Sequence, residues 1–193
     1  MNLLRRSMVF LVWCLGALVI AGIVHIVSIL AMPGVASKDA YARLAAFVAP
    51  SRLTLLPPAR PGQELMPFLD PAMARGVCLY DLTSGPMHLQ ASVEGDGFLS
   101  LSFHSRVGRV FYSMNDRAAL RGKIDVLLVT ADQLEAIEAE DEEDEQPREL
   151  RLTAATPQGF VLLSALAEHP GDVALAEGRI LSASCTTESM EQK

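Results

Sequence analysis

Met87–His104 reads MHLQASVEGDGFLSLSFH, and its two halves decide the fold. In the first half Met87, Leu89, Ala91 and Val93 alternate with His88, Gln90 and Ser92; in the second, Leu99, Leu101 and Phe103 alternate with Ser100, Ser102 and His104. A period of two sends successive side chains to opposite faces, so each half reads as a strand with one buried face. Glu94-Gly95-Asp96-Gly97 between them predicts a hairpin turn.

Strand signals continue on both sides. Upstream, Gly76–Leu82 reads as a strand, and Thr83-Ser84-Gly85-Pro86 as the turn that follows it. Asp70-Pro71 has the form of a cap and first position of one helical turn, through Ala74. Downstream, Ser105–Gly108 turns the chain and Arg109–Met114 returns it. Ile124–Thr130 (IDVLLVT) is a nearly continuous apolar run, the pattern of a central strand. Thr130 caps a helix with Leu134, Ile137 and Ala131 inward, Leu150–Ala155 and Phe160–Leu166 are two more strands, and Asp172 caps a last helix, Val173–Leu181. The order is mainly β with peripheral helices (α+β), an antiparallel β-sandwich-like domain.

Before this domain lies an apolar segment. Met8–Met32 contains no Asp, Glu, Lys or Arg. At about 1.5 Å per residue it makes a helix of roughly 37 Å, longer than the roughly 30 Å of a hydrocarbon core. Apolar regions of cleaved leaders run to only about 15 residues, so a transmembrane anchor is the favoured reading; a leader cut near Gly34-Val35-Ala36 is the alternative. Residues 1–7 then form a cytoplasmic N-terminus, 8–32 the membrane helix, 33–67 a juxtamembrane helix and Pro-rich linker, and 68–193 a periplasmic β-rich domain. Arg5 and Arg6 on the short N-terminal side favour this orientation in a bacterial inner membrane, although Lys38, Arg43 and Arg52 follow the helix. Ser37 is placed to cap the juxtamembrane helix, in which Ala40, Tyr41, Leu44, Ala45 and Val48 fall at helical spacing before Pro50 ends it.

The net charge of −7 is misleading, because residues 140–145 are six consecutive acids; without them the balance is −1. That run reads as a solvated loop, since calcium loops space their oxygen ligands and carry turn glycines. There is no basic stripe, so nucleic acid is not an expected partner. Cys14 falls in the anchor, and Cys78 and Cys185 fall outside it. In an oxidising compartment those two are expected to form a disulfide pinning the C-terminal helix to the sheet, with two unpaired thiols as the alternative. Neither lies in a CxxC motif, and no cofactor or metal is expected.

The stretch from Asp70 to Asn115, with LYDLTSGP at 79–86 and YSMNDR at 112–117, joined to GIVHIV at 22–27, resembles a family of small alphaproteobacterial membrane proteins known as domain of unknown function twelve-fifty-four. The resemblance covers most of the chain. It implies an envelope location, a Cys78–Cys185 pairing and a β-rich domain, and it transfers no catalytic residue. The acidic run is denser than the family leads one to expect.

No serine lies in a GxSxG elbow, and no nucleophile, base and orienting group assemble from local motifs, so an enzyme is not the expected reading. His88 and His104 sit on outward faces of the expected hairpin, where they could meet across the sheet. The candidate interaction residues are His25 in the anchor, Asn115, Asp116 and Arg117 as a polar cluster, and Arg106 and Arg109 as companions for an anionic group. The expected role is a membrane-anchored periplasmic interaction domain within an envelope assembly, holding a membrane or periplasmic protein partner. The alternative is a binding module for a small anionic or lipidic ligand, lined by Phe98, Phe111 and Tyr112.

Overall fold

Residues 2–35, 39–58, 70–93, 97–140 and 149–188 are described in the structure, a computed structural model. The acids at 141–145, Ser37 and Glu94–Asp96 lie outside the described residues. The chain divides into two units, Met1–Asp39 and Ala40–Lys193.

The first unit is one helix, α1 (Asn2–Val35). Its stretch Arg5–Met32 is long and apolar enough to cross a membrane. His25 and the free Cys14 lie within it.

The second unit is two packed sheets. The five-stranded sheet has the order β1-β2-β8-β4-β5, with β1 (Thr54–Leu55), β2 (Met73–Asp81), β8 (Gln158–Leu166), β4 (Leu99–Ser105) and β5 (Val110–Asn115). All its pairs are antiparallel. The four-stranded sheet has the order β7-β6-β3-β9, with β7 (Leu150–Thr153), β6 (Lys123–Val129), β3 (Met87–Ser92) and β9 (Ser184–Thr187). Only β6 and β7 are parallel. Parallel neighbours need a long crossover, and the helix α3 (Ala131–Glu140) lies on it. Thr130 caps α3 as expected: its Oγ1 accepts from Gln133 N–H at 3.2 Å, and Gln133 Oε1 accepts from Thr130 N–H at 2.9 Å.

One core lies between the sheets. Met87, Leu89 and Ala91 of β3 meet Leu99, Leu101 and Phe103 of β4, with Cys78, Tyr80, Val126, Leu128, Val161 and Leu163. Ala176 and Ile180 of α4 (Val173–Leu181) complete it. Gly76 makes room for Ile180, because a Cβ there would collide with its Cγ2. A second cluster covers part of the outer face of the five-stranded sheet. Leu44 of α2 (Ala40–Ala45), Val48 and Leu56 bury Val77, Leu79 and Phe160.

Several expectations are corrected. The alternation in Met87–His104 holds, but β3 and β4 are not a hairpin. They belong to different sheets, so the chain crosses the sandwich and both apolar faces meet in one core. The strands at Leu150 and Phe160 likewise lie on different sheets. Asp70-Pro71 starts no helical turn: the Asp70 carboxylate accepts from Ala72 N–H at 2.9 Å, and β2 begins at Met73. The described part of the Pro-rich linker, through Pro58, lies against the sheet. It supplies β1 and the buried Leu56 and belongs to the same unit as the sheets. Cys185 lies on β9 rather than at the helix end. Its disulfide to Cys78, Cα–Cα 6.7 Å, therefore joins the two sheets through the core.

Candidate functional site

Strand alternation and register arrange the outer face of the five-stranded sheet in rows. Ala74, Cys78 and Tyr80 of β2 face or pack on the core, so Arg75, Val77 and Leu79 face out. Leu163 and Ala165 of β8 and Leu101 and Phe103 of β4 face in, which turns Ser164, Ser100, Ser102 and His104 out. One row runs Arg75, Ser164, Ser100, Asn115; the next runs Val77, Leu162, Ser102, Ser113; a third runs Leu79, Phe160, His104, Val110. The second cluster covers the Val77, Leu79 and Phe160 part of this face. The Arg75 row and the Ser102–Ser113 end of the next are polar, and neither row contains a carboxylate.

Arg75 stands out in the first row. It is half-buried, and its Nε is buried with no hydrogen-bond partner among the described residues. Buried donors are almost always paired, and an unpaired one costs its desolvation. Ser164, directly opposite, is buried. Asn115 closes the row at the edge strand. Its Oδ1 accepts from Arg117 N–H at 3.2 Å, which leaves its amide nitrogen as a donor.

His104 is held on three sides. Its ring stacks on Phe160 at 4.6 Å between centroids and 10° between planes. Its Nδ1 lies 3.1 Å from the Gly108 carbonyl, an acceptor, so Nδ1 carries the proton and Nε2 accepts from the Ser102 hydroxyl at 2.9 Å. Burial lowers its pKa, and the Gly108 carbonyl opposes this. A serine donating to a neutral histidine is the start of a nucleophilic pair. The orienting group is a carbonyl rather than a carboxylate, however, so an imidazolium would gain no charged partner and His104 is a poor base for Ser102.

The expected meeting of His88 with His104 does not occur. His88 is on β3, on the outer face of the opposite sheet. It contacts Asp125 through Nε2 and lies 3.3 Å from Glu188 Oε1 through Nδ1, while Gln90 Nε2 donates to Asp125 Oδ2 at 3.2 Å.

The expected anionic constellation is likewise divided. Arg106 and Arg109 lie in the β4–β5 turn, and Asn115–Arg117 lie at the far end of β5, roughly 20 Å away along the strand. Arg106 is engaged locally: Nη1 donates to Gln158 Oε1 at 2.5 Å, and its guanidinium lies 5.7 Å from the Tyr41 ring centre. Phe111 packs against the core with its ring 6.3 Å from Phe103; Tyr112 is 6.1 Å from Phe103 and partly exposed, as is Phe98.

The specific motif residues are turn makers. In LYDLTSGP, Tyr80 donates from the core to the His104 carbonyl at 2.9 Å, and burial pushes its phenol up to about 12 against the Thr156 hydrogen bond. Asp81 caps the 3-10 turn Leu82–Ser84, and Gly85 follows at φ +136°. Burial would raise the Asp81 carboxyl, but the Thr83 and Gln158 hydrogen bonds and Arg106 outweigh it and hold the group below its ordinary value. In YSMNDR, Asn115 caps the 3-10 turn Asp116–Ala118. Arg75 lies outside both motifs, and its signal is only an arginine inside an otherwise apolar strand, MARGVCLY.

No protein-family model and no curated protein matches the chain. Among solved structures, the VPA0106 protein from Vibrio parahaemolyticus is similar in fold over 78% of this chain and 36% of its own, at 8% identity and TM-score 0.52. A putative uncharacterized protein from Burkholderia cenocepacia aligns over 69% of this chain and 34% of its own, at 13% identity and TM-score 0.41. The chain thus spans about a third of the length of these proteins.

Proposed function

We propose that the chain is a membrane-anchored domain, N-terminus cytoplasmic and sandwich periplasmic at a bacterial inner membrane, that holds a partner protein of an envelope assembly close to the membrane. The observation that carries this reading is the disulfide through the core of a unit that follows an apolar helix of spanning length. Such bonds persist in oxidising compartments. Arg5 and Arg6 before the span agree with that orientation. Tethering raises the effective concentration of a weakly binding surface without any new contact. LYDLTSGP and YSMNDR carry the further proposal that the chain belongs to the domain-of-unknown-function twelve-fifty-four family.

The surface best suited to a protein partner is β5. Among the described residues it is the last strand of its sheet, and Val110 and Tyr112 are exposed along it. An open strand edge with apolar side chains offers main-chain hydrogen bonds and side-chain contacts to an added strand. The test is a photo-crosslinking residue at Tyr112 of the full chain in cells, with the same probe at Asp132 on α3 as control. A discrete protein adduct from position 112, missing from 132, supports the reading. Adducts that are absent or identical at both positions count against it. The alternative, an anionic or lipidic ligand, is favoured by Arg75.

A further inference from the structure

We propose that Arg75, Ser164, Ser100 and Asn115 form a binding site for the phosphate group of an ester, on the outer face of the five-stranded sheet. The inference goes beyond the partner-holding role and does not depend on it. Arg75 is permanently charged, half-buried, and has a buried Nε without a hydrogen-bond partner among the described residues. Its own row and the next contain no carboxylate to neutralise it. A guanidinium so placed is unfavourable until an anion arrives.

The register specifies the anion. The Nε–Nη edge of arginine presents two parallel donors. Ser164 lies one strand spacing from Arg75, Ser100 one further, and Asn115 at the third, steps of roughly 4.8 Å each. The fork supplies two donors, and the hydroxyls and the Asn115 amide of the same row supply further ones, which suits an anion with more than two oxygens. A tetrahedral phosphate turns two oxygens to the fork and keeps others for the row, whereas a carboxylate has both oxygens on the fork and offers the row only their remaining lone pairs. Leu162, half-buried in the neighbouring row, gives apolar surface for the organic part of the ester. The ester is either a lipid headgroup or a soluble phosphate ester, which share this chemistry.

The experiment uses the full chain in a phosphate-free maltoside micelle, with nitrogen-15 spectra that resolve the Arg75 Nε–H. Probes are inorganic phosphate, acetate, and short-chain phosphatidylglycerol in mixed micelles. A saturable shift of Arg75 Nε–H and of the Ser100 and Ser164 amides with phosphate is expected, with acetate at least tenfold weaker. Arg75→Gln should abolish it, and Arg75→Lys, which keeps the charge but lacks Nε, should weaken it about tenfold or more. Should Arg75→Gln not fold, Ser100→Ala tests the same row and should weaken binding severalfold. Phosphatidylglycerol that competes with phosphate for these shifts assigns the lipid source; phosphate shifts without such competition assign the soluble one. No saturable shift with either, shifts unchanged in Arg75→Lys, or acetate binding as tightly as phosphate would overturn the proposal. A negative result here leaves the crosslink at Tyr112 unaffected, so the two readings fail separately.

Discussion

Removing the inter-sheet disulfide should cost much of the domain's stability without changing its fold. The bond joins residues 107 positions apart, so it closes most of the sandwich into a single loop. In the chain-entropy account a loop of that length constrains the unfolded ensemble by about 5 kcal/mol. The native side changes little, because the two sheets also share a continuous core in which Leu89, Leu101, Phe103 and Leu128 are fully buried. For a domain of this size each kcal/mol moves the melting temperature by about 2–4 °C, so the loss should be about 10–20 °C. The assay is thermal unfolding of the full chain in detergent, followed by circular dichroism, for the native protein, the reduced protein and Cys78→Ala/Cys185→Ala. The far-ultraviolet sheet signal at 25 °C should survive while the transition drops, and reduced protein and double variant should agree. A melting temperature within about 3 °C of native in both would show that the bond contributes little to the stability of the domain.

Three further outcomes follow from individual positions. Gly159→Ala should destabilise by about 1–3 kcal/mol, since the added Cβ would collide with the His104 carbonyl and the Tyr80 hydroxyl; denaturant titration reads it, and a change below about 0.5 kcal/mol would mean the strands separate at little cost. Thr130→Ala should cost about 1 kcal/mol by removing one half of the capping box on α3, without altering the sheet signal. His104 should make stability pH-dependent: its folded value lies below the ordinary ~6.5, so its contribution is complete above that pH and is lost as pH falls toward the folded value. Melting temperatures from pH 8 to 5 for native and His104→Gln chains check this, and parallel curves would show that His104 does not contribute.

What was legible in the sequence was local. The alternation in Met87–Ser92 and Leu99–Phe103 gave the buried faces correctly because the side-chain period of a strand does not depend on its partner. Thr130 announces α3 through its cap, and Val173–Leu181 announces α4 through helical spacing; Asp172, expected to cap α4, makes no side-chain capping bond to it, its carboxylate accepting instead from His169 N–H. Partner choice was not legible. A short Gly-rich connection can reverse a strand within one sheet or carry it across a sandwich, and the inward pattern is the same in both. That ambiguity is why His88 and His104 were expected together and lie on opposite outer faces. The candidate site was hidden for the same reason. Arg75, Ser164, Ser100 and Asn115 are scattered along the chain, and only the register of four strands draws them into one row. Asn115–Arg117 reads as a compact polar cluster in the sequence, but there Asn115 accepts from the backbone of Arg117.

The most direct test of the central account is a thiol count on the full chain in native membranes. Membranes are acid-quenched, denatured without reductant and treated with a maleimide polymer that shifts the gel band once per free thiol. The chain has three cysteines. A domain outside the cytoplasm predicts a single shift, from Cys14, becoming three shifts after reduction. Three shifts before reduction would place Cys78 and Cys185 in a reducing compartment and contradict it.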